Sequence, residues 1–259
     1  MAFQQVGAIR FFQFDNLQGA PLKHAILTRH GGISPAPWTG LNVGATVGDE
    51  SHRVMENRRR AFQSLGLAME NSYDLWQIHS TRVVKVNRPR GNEPHVQADI
   101  LITNQPGLTL FMRFADCVPI LLYDPKNHAA AMVHAGWKGT LLKAASHAVD
   151  ALVTAFGTNP GDCIAGIGPS ICAECYPIGE EVIARSEEAF GEKAGQFFLS
   201  RNGRLHLDLW EANAYVLRQA GVERIEVAGV CTAMHTEDWF SHRAEKGKTG
   251  RFGALFSLG

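Results

Sequence analysis

The spacing of apolar positions changes along the chain and predicts its first elements. Apolar and polar residues alternate in HAILTR (24–29), which is typical of a half-buried strand. Over residues 51–65 the apolar positions fall three and four apart instead, which predicts a helix with Val54 and Phe62 on its buried face. Ser51 is the expected N-cap of this helix, since a serine side chain can accept a hydrogen bond from a free backbone N–H of the first turn.

A dense run of predicted strands follows this helix. Its segments are rich in β-branched and aromatic residues, and Pro, Gly, Asn and Asp separate them. The predicted strands are DLWQIH (74–79), RVVKV (82–86), ADILIT (98–103), LTLFMRF (108–114), VPILLY (118–123) and AAAMVH (129–134).

Helical periodicity returns in the second half of the chain. Residues 140–156 predict one continuous helix, with Leu142, Val149 and Val153 on its apolar face. The later predicted elements are a strand (163–168), two helices (179–190 and 208–220) and two closing strands (224–230 and 251–258). This mixture indicates the α/β (α+β) class, with mixed β-sheets flanked by helices, and we expect residues 1–259 to form a single domain.

Composition narrows the range of partners. The 25 basic and 25 acidic residues give a formal net charge of zero, so nothing attracts the whole chain to nucleic acid or to an anionic membrane. We therefore expect a small-molecule partner and a monomeric protein. No apolar run approaches the roughly 18 to 20 residues of a membrane span, and the N-terminus lacks signal-peptide features, so a cytoplasmic location is expected. The five cysteines argue for free thiols rather than a disulfide framework.

Three residues with metal-binding side chains stand at the ends of predicted strands. They are His79 in QIHS, Cys117 in FADC and His134 in VHAGW, and they are too far apart in sequence for a zinc-finger motif. Two imidazoles and a thiolate suit zinc, and three protein ligands leave a fourth position open, as in catalytic sites. Spacing alone leaves a structural role open, because a histidine at a strand end is more often a hydrogen-bonded structural residue. The nearby Gly136 and Gly139 allow close approach but also fit an ordinary turn.

Motifs along nearly the whole chain resemble one known family. It is the laccase-domain or multicopper polyphenol oxidase family, also called the peptidoglycan editing factor family, whose members include purine nucleoside phosphorylases. The matching motifs are TRHGGIS (28–34), LNVGATVGD (41–49), VMENR (54–58), QIHS (77–80), ADCVPILL (115–122), HAGWKGT (134–140), GIGPSI (166–171), LDLWEAN (207–213), CT (231–232) and TGRFGALFSL (249–258).

This resemblance implies a zinc site at His79, Cys117 and His134, in a fold similar to that of cysteine hydrolases. It implies a transferase that splits adenosine, inosine, guanosine or methylthioadenosine with phosphate, and a hydrolase activity as an adenosine deaminase. The candidate substrate-binding residues in the matched motifs are Arg29, Asn42, Arg58 and Lys138. Lys138 stands where the family frequently has arginine. A lysine ammonium cannot bind phosphate through the two parallel hydrogen bonds that a guanidinium forms.

Several alternatives stay open on the sequence. The older family name implies a copper-dependent polyphenol oxidase, an oxidoreductase, although one His₂Cys site supplies too few copper centres. A metal-free cysteine hydrolase would use Cys117 as nucleophile and His134 or His79 as base. Two further hypotheses are a cell-wall editing hydrolase, which would act on muropeptide precursors, and a non-catalytic binding protein. In CAEC (172–175) the two cysteines are interpreted as ordinary loop thiols, since no second pair stands at zinc-finger spacing.

Overall fold

The computed structural model of the protein describes residues 2–259. The strands are β1 (Ala2–Val6), β2 (Ile9–Gln13), β3 (Leu22–Leu27), β4 (Ser72–Asp74), β5 (Val83–Lys85), β6 (Ile100–Thr103), β7 (Thr109–Phe114), β8 (Val118–Asp124), β9 (Ala129–Ala135), β10 (Ile164–Ile167), β11 (Phe198–Arg201), β12 (Arg204–Leu207), β13 (Arg224–Val227) and β14 (Phe252–Leu258). The α-helices are α1 (Ser51–Ser64), α2 (Trp137–Leu141), α3 (Ala144–Phe156), α4 (Glu180–Phe190) and α5 (Leu209–Gln219).

Two six-stranded sheets form the centre of the fold. One has the order β1-β2-β3-β14-β7-β4 and the other β13-β10-β8-β9-β6-β5, while β11 and β12 form a separate hairpin. Most neighbours are antiparallel, but β4 runs parallel to β7, β5 to β6, and β10 to β13. The α/β (α+β) class with mixed sheets flanked by helices is thus confirmed. Among the described residues, no helix is long and apolar enough to cross a bilayer.

The sheets pack face to face, and helices cover their outer faces. In β9, Met132 faces the first sheet, whereas its neighbour Val133 faces the layer formed by α3 and α5. Both faces of β8 and β9 are buried, which explains why these strands read as nearly unbroken apolar runs. On the far side of the first sheet, Phe62 of α1 packs edge-on against Phe111. The architecture therefore has four layers, helix–sheet–sheet–helix.

Some predicted boundaries were wrong. The strand predicted over 74–79 ends at Asp74, and the following residues form a loop. The helix predicted over 140–156 is two helices, because Lys143 adopts a left-handed conformation (φ 58°) that interrupts helical hydrogen bonding. Leu142 and Val153 are 54% and 40% exposed, so they do not lie on the buried face.

The predicted N-cap and the chain ends also need correction. Glu50 occupies the N-cap position of α1, and Ser51 is already the first helical residue. Strands β1 and β2 and the β11–β12 hairpin were not predicted. β1 is an edge strand and the β11–β12 hairpin lies outside both main sheets, and polar residues interrupt the apolar pattern there, whereas β2 is internal with three buried apolar residues and was simply missed.

A buried histidine in β3 predicts a loss of stability in mild acid. His24 is 2% exposed, and its Nε2 accepts a 2.8 Å hydrogen bond from the backbone N–H of Phe14, so this nitrogen carries no proton in the folded state. Burial lowers the pKa of His24 to about 4, against an ordinary value of 6.5. The unfolded chain therefore takes up this proton at higher pH, and the free energy of unfolding decreases as pH falls from about 6.5 towards 4.

We expect His24→Gln to remove this contribution, because the glutamine carbonyl can accept from Phe14 without titrating. From pH 7.5 to pH 5, wild type should lose about 2 kcal/mol more stability than the variant. Urea unfolding of both proteins at the two pH values measures the difference. Equal losses in the two proteins would show that His24 does not titrate as its burial requires.

Candidate active site

Strand pairing brings Cys117 and His134 together at one end of the interface between the sheets. Cys117 immediately precedes β8, and in the antiparallel β8–β9 pair Pro119 lies opposite His134. His79 reaches the same point from the loop after β4, where its backbone is left-handed (φ 62°). The His79 Nε2 lies 3.8 Å from the Cys117 Sγ, and the ligand atoms of all three residues lie within 4.8 Å of one another.

A buried carboxylate holds two of these residues in place. Nδ1 of His134 donates to Oδ1 of Asp99 at 2.8 Å, which leaves Nε2 as the ring nitrogen available to a metal. The other carboxylate oxygen accepts from the backbone N–H of Ser80 at 2.6 Å, from its hydroxyl at 2.9 Å and from the N–H of Ile78 at 3.2 Å. Asp99 therefore orients the His134 ring and also fixes the loop that carries His79, in the manner of the carboxylates that support metal-binding histidines.

Gly136 provides the space in which the three side chains meet. A Cβ atom at this position would lie 2.8 Å from the Cys117 Sγ and 3.0 Å from Cδ2 of His79. Such contacts are too short for any side chain, so glycine is required here for close approach. Gly139 is one turn further on, where an added Cβ would contact the His134 carbonyl oxygen at 3.3 Å instead.

Cys117 and His134 shift each other's pKa in opposite directions. Burial acts to raise the pKa of the Cys117 thiol, but the charge of His134 and hydrogen bonds from both histidines outweigh it and lower that pKa to about 6. Burial likewise acts to lower the pKa of His134, but the Cys117 charge and the Asp99 hydrogen bond raise it to about 9. At neutral pH the sulfur is thus already in the form that binds a metal or attacks an electrophile.

The donor set and its spacing fit a metal ion. Neutral imidazole nitrogens and a thiolate are ligands that zinc prefers, at about 2.0–2.1 Å and 2.3 Å respectively. A tetrahedral ion with such bonds needs its ligand atoms about 3.3–3.7 Å apart, close to the 3.8 Å between Cys117 and His79. Three protein ligands leave one position for a substrate or water, as in catalytic sites.

The cluster lies at the base of a cavity of about 620 Å³, a size that suits a small-molecule ligand. The cavity wall is strongly cationic and partly aromatic. Its basic residues besides the cluster are Arg58, His95, Arg113, His242, Arg243 and Arg251, its aromatic residues are Trp76, Trp137 and Tyr176, and its acidic residue is Asp116.

Comparison with known proteins places the chain in a family. Residues 23–259 match the family model described as multi-copper polyphenol oxidoreductase laccase. The chain belongs to this family. A relative from Deinococcus radiodurans, named purine nucleoside phosphorylase, is 39% identical over 235 residues, which is 91% of this chain and 88% of the relative. Purine nucleoside phosphorylase YlmD from Bacillus subtilis is 34% identical over 89% of this chain and 86% of its own.

Solved structures of similar proteins share the whole fold. The crystal structure of YlmD from Geobacillus stearothermophilus superposes with a TM-score of 0.92 at 32% identity and covers 99% of this chain and 98% of its own. The crystal structure of Bacillus licheniformis hypothetical protein YfiH gives a TM-score of 0.91, also at 32% identity, with 99% of each chain covered. The predicted membership of the laccase family is therefore confirmed.

Of the four predicted substrate-binding residues of this laccase-family chain, Arg58 lines the cavity. Asn42 lies behind the wall, where its side-chain oxygen accepts from the backbone N–H groups of Gly44 and Arg251 at 3.0 and 2.9 Å. It thereby holds two cavity-lining residues in position.

Arg29 and Lys138 also lie outside the cavity lining. The Arg29 guanidinium donates to the carbonyl oxygen of Thr236 at 2.7 Å and to the Glu245 carboxylate at 3.2 Å, and it stacks on Phe240. These contacts anchor the segment that carries His242 and Arg243. Lys138 is exposed and borders a separate, smaller groove.

The residues missed by the sequence analysis are those that support or surround the cluster. Asp99 could have been noticed as a lone charge directly before an apolar strand, in ADILIT. Arg113 and Arg251 belong to strand-like segments, and neither lies beside a motif cysteine or histidine in sequence. The antiparallel pairing of β14 with β7 brings both to the cavity. The available signal for Arg251 was its place in the matched motif TGRFGALFSL (249–258), whereas Arg113 lies outside the matched motifs.

Proposed function

We propose that this protein is a zinc-dependent purine nucleoside phosphorylase, with His79, Cys117 and His134 as the metal ligands and catalytic centre. The observation that carries the proposal is the combination, in one cavity, of the His₂Cys cluster, a cationic wall for phosphate and aromatic surfaces for a purine. The relatives named purine nucleoside phosphorylase, which this chain matches over most of its length, support it. The substrates we propose are adenosine, inosine, guanosine and methylthioadenosine.

Two guanidinium groups are the candidate phosphate ligands. Arg58 donates its Nε to the carbonyl oxygen of Val43 at 3.0 Å, and its terminal nitrogens have no hydrogen-bond partner among residues 2–259. Burial, reinforced by the charge of Arg113, lowers the pKa of Arg58 to about 10, so this side chain is still a cation at neutral pH. Among residues 2–259 the Arg251 side chain donates through NH1 alone, to the carbonyl oxygens of Thr249 and Gly250. A phosphate supplies the acceptors that these groups lack.

Aromatic side chains in the cavity wall are suited to hold the base. Trp76 is 52% exposed although it is a large aromatic residue, and it lines the cavity together with Trp137 and Tyr176. Planar purines stack on such surfaces. In phosphorolysis a phosphate oxygen forms a bond to C1′ while the C1′–N9 bond breaks, and the base leaves with the electron pair. Holding the two reactants in one orientation supplies much of the rate acceleration.

A zinc ion held by His79, Cys117 and His134 would supply Lewis-acid polarisation and would lower the pKa of a bound water, the chemistry that deamination of adenosine requires. Adenosine deaminase activity is therefore the second activity we propose for the same site. Its product, inosine, is itself a substrate of the phosphorylase.

The proposal is tested by supplying inosine with and without phosphate. We expect hypoxanthine and ribose 1-phosphate in equal amounts, with release that saturates as phosphate is added; chromatography of the products measures both. Release of the base at the same rate without phosphate would indicate a nucleoside hydrolase instead. Turnover of muropeptide precursors and not of nucleosides would favour the cell-wall reading.

Arg58→Gln should weaken phosphate binding more than nucleoside binding. Loss of a charge-assisted hydrogen bond costs about 1.5–3 kcal/mol, so we expect the KM for phosphate to rise by about 10- to 100-fold while the KM for inosine changes little. Arg59→Gln is the matched control, because Arg59 is the next residue of α1, pairs with Glu56 at the surface and does not line the cavity. Equal KM values for phosphate in the two variants would remove Arg58 from the phosphate site.

The polyphenol oxidase and cysteine-hydrolase hypotheses predict metal contents that differ from that of a zinc-dependent phosphorylase. Copper(II) prefers imidazole and oxygen ligands, and of the two His/Cys clusters found among residues 2–259 one alone contains histidine. A cysteine hydrolase would exploit the thiolate–imidazolium pair of Cys117 and His134 without metal. Several copper equivalents per active chain would favour the oxidase, and full activity after chelation would favour the hydrolase.

A further inference from the structure

Three thiols converge behind the wall of the cavity. The sulfur atoms of Cys172, Cys175 and Cys231 lie within 4.8 Å of one another, and none of the three is in a disulfide. Cys172 is the N-cap of a single 3-10 turn, Ala173–Cys175, and Cys175 is its last residue. Cys231 arrives from a distant segment through a parallel bridge with Ser170, and its sulfur accepts from the backbone N–H of Cys172 at 3.3 Å.

The chemistry of this trio differs from that of the His₂Cys cluster. Buried single cysteines commonly serve as small apolar side chains, but three sulfurs from two separate segments present a set of soft donors. A C-x₂-C turn with a cysteine from elsewhere in the fold is a ligand arrangement of structural zinc sites, and thiolates select zinc and copper(I) over harder ions. Glu174 belongs to the same turn and carries a carboxylate between Cys172 and Cys175 in sequence, which is an oxygen donor for a fourth position.

We propose that Cys172, Cys175 and Cys231 form a second metal site, which binds one thiophilic ion, Zn²⁺ or Cu⁺, through three thiolates. The site is separate from the catalytic cluster, since the two share no residue. It is independent of the proposed phosphorylase activity.

The contacts around the trio indicate what the ion does. Thr232, next to Cys231, donates its hydroxyl to Asp116 at 2.7 Å, and the N–H of Ile171 donates to the Asp116 carbonyl oxygen at 3.1 Å. Tyr176, which follows Cys175, lines the cavity. An ion at this point would join the segment that carries the cavity-lining Tyr176 to the segment of Cys231, and both segments bond Asp116, the residue before Cys117. Its role is therefore structural.

Metal titration of the reduced, chelator-stripped full chain tests the proposal. With Zn²⁺, and separately with Cu⁺, we expect two bound equivalents in wild type after gel filtration, one in Cys172→Ser and one in Cys117→Ala. Cys163→Ala is the matched control, because Cys163 is a buried thiol outside both clusters, and it should retain two equivalents. Two equivalents in Cys172→Ser, or a single equivalent in wild type that Cys172→Ser retains, overturns the second site.

Cobalt(II) identifies the ligands of the second ion. Cys117→Ala should retain an ion with three thiolates, and hence strong sulfur-to-cobalt charge-transfer absorption, whereas Cys172→Ser should lose most of this absorption. Weak absorption in Cys117→Ala would overturn the proposal.

A measurement on wild type tests the proposal even if one of the cysteine variants fails to fold. We expect Zn²⁺ to protect Cys172, Cys175 and Cys231 from alkylation, as mapped by peptide mass spectrometry, and to raise Tm by roughly 5 °C or more at a hundredfold excess over Kd. Equal alkylation of the three thiols with and without metal would show that they bind none. If the purified protein contains a Cys172–Cys231 disulfide, and the reduced thiols bind no metal, the proposal is overturned as well. The two cysteines would then be a redox pair.

Discussion

Cys117→Ala is expected to lose its catalytic metal and its nucleoside phosphorolysis together. The substitution removes the thiolate from a site with three protein ligands, and two imidazoles alone hold zinc weakly. We expect activity to fall by more than about 100-fold, since even the loss of a residue that only supports a metal ligand typically costs 10- to 100-fold. Elemental analysis and the phosphorolysis assay on the same sample measure both losses.

The fold of this variant should survive. An open catalytic site does not supply the folding energy of a closed four-ligand site, and the strands β8 and β9 beside the cluster are buried on both faces. If Cys117 were a nucleophile without metal, activity would vanish at unchanged metal content. If it were only a buried thiol, the variant would lose about 1–2 kcal/mol of stability and keep its turnover.

Asp99→Asn is expected to weaken metal binding by about 10- to 100-fold and to lower the free energy of unfolding by about 2–3 kcal/mol. The carboxylate accepts four hydrogen bonds, one from His134 and three from Ile78 and Ser80. An asparagine amide presents an NH₂ group to some of these donors, which leaves them buried without an acceptor. Chelator competition measures the metal affinity, and urea unfolding measures the stability.

Asp124→Asn separates these two effects. Asp124 is also a buried carboxylate, at the other end of β8, where it accepts from the backbone of Lys126 and from Asn127. We expect this control to lose stability and to keep its metal affinity. A metal affinity that is unchanged in Asp99→Asn as well would mean that the carboxylate does not position the ligands.

The central strands were predictable because both their composition and their burial are extreme. The segments of β7, β8, β9 and β14 are short, mainly apolar runs, and turn residues separate β7, β8 and β9, so composition alone predicted their approximate bounds. The pattern failed where local conformation overrides it. Lys143 breaks the helix predicted over 140–156 with a left-handed residue that no apolar spacing reveals.

For the candidate site, the sequence indicated the chemistry but not its surroundings. His79, Cys117 and His134 were selected from motif residues and family resemblance, and the structure brings their ligand atoms within 4.8 Å of one another. Their role as metal ligands stays a prediction. Strand register, which a single sequence does not reveal, brings Asp99 to His134 and Cys231 to Cys172. The C-x-x-C motif alone therefore could not show that Cys231 joins Cys172 and Cys175.

The central claim is that this protein transfers a purine nucleoside's ribose to phosphate, and isotope transfer from labelled phosphate tests it most directly. Zinc-loaded protein is supplied with inosine and phosphate that carries ¹⁸O on all four oxygens, in unlabelled water. If a phosphate oxygen attacks C1′, mass spectrometry will find ribose 1-phosphate that retains all four labelled oxygens, together with an equal amount of hypoxanthine. Free ribose bearing an unlabelled oxygen, formed at a rate independent of phosphate, would contradict the account.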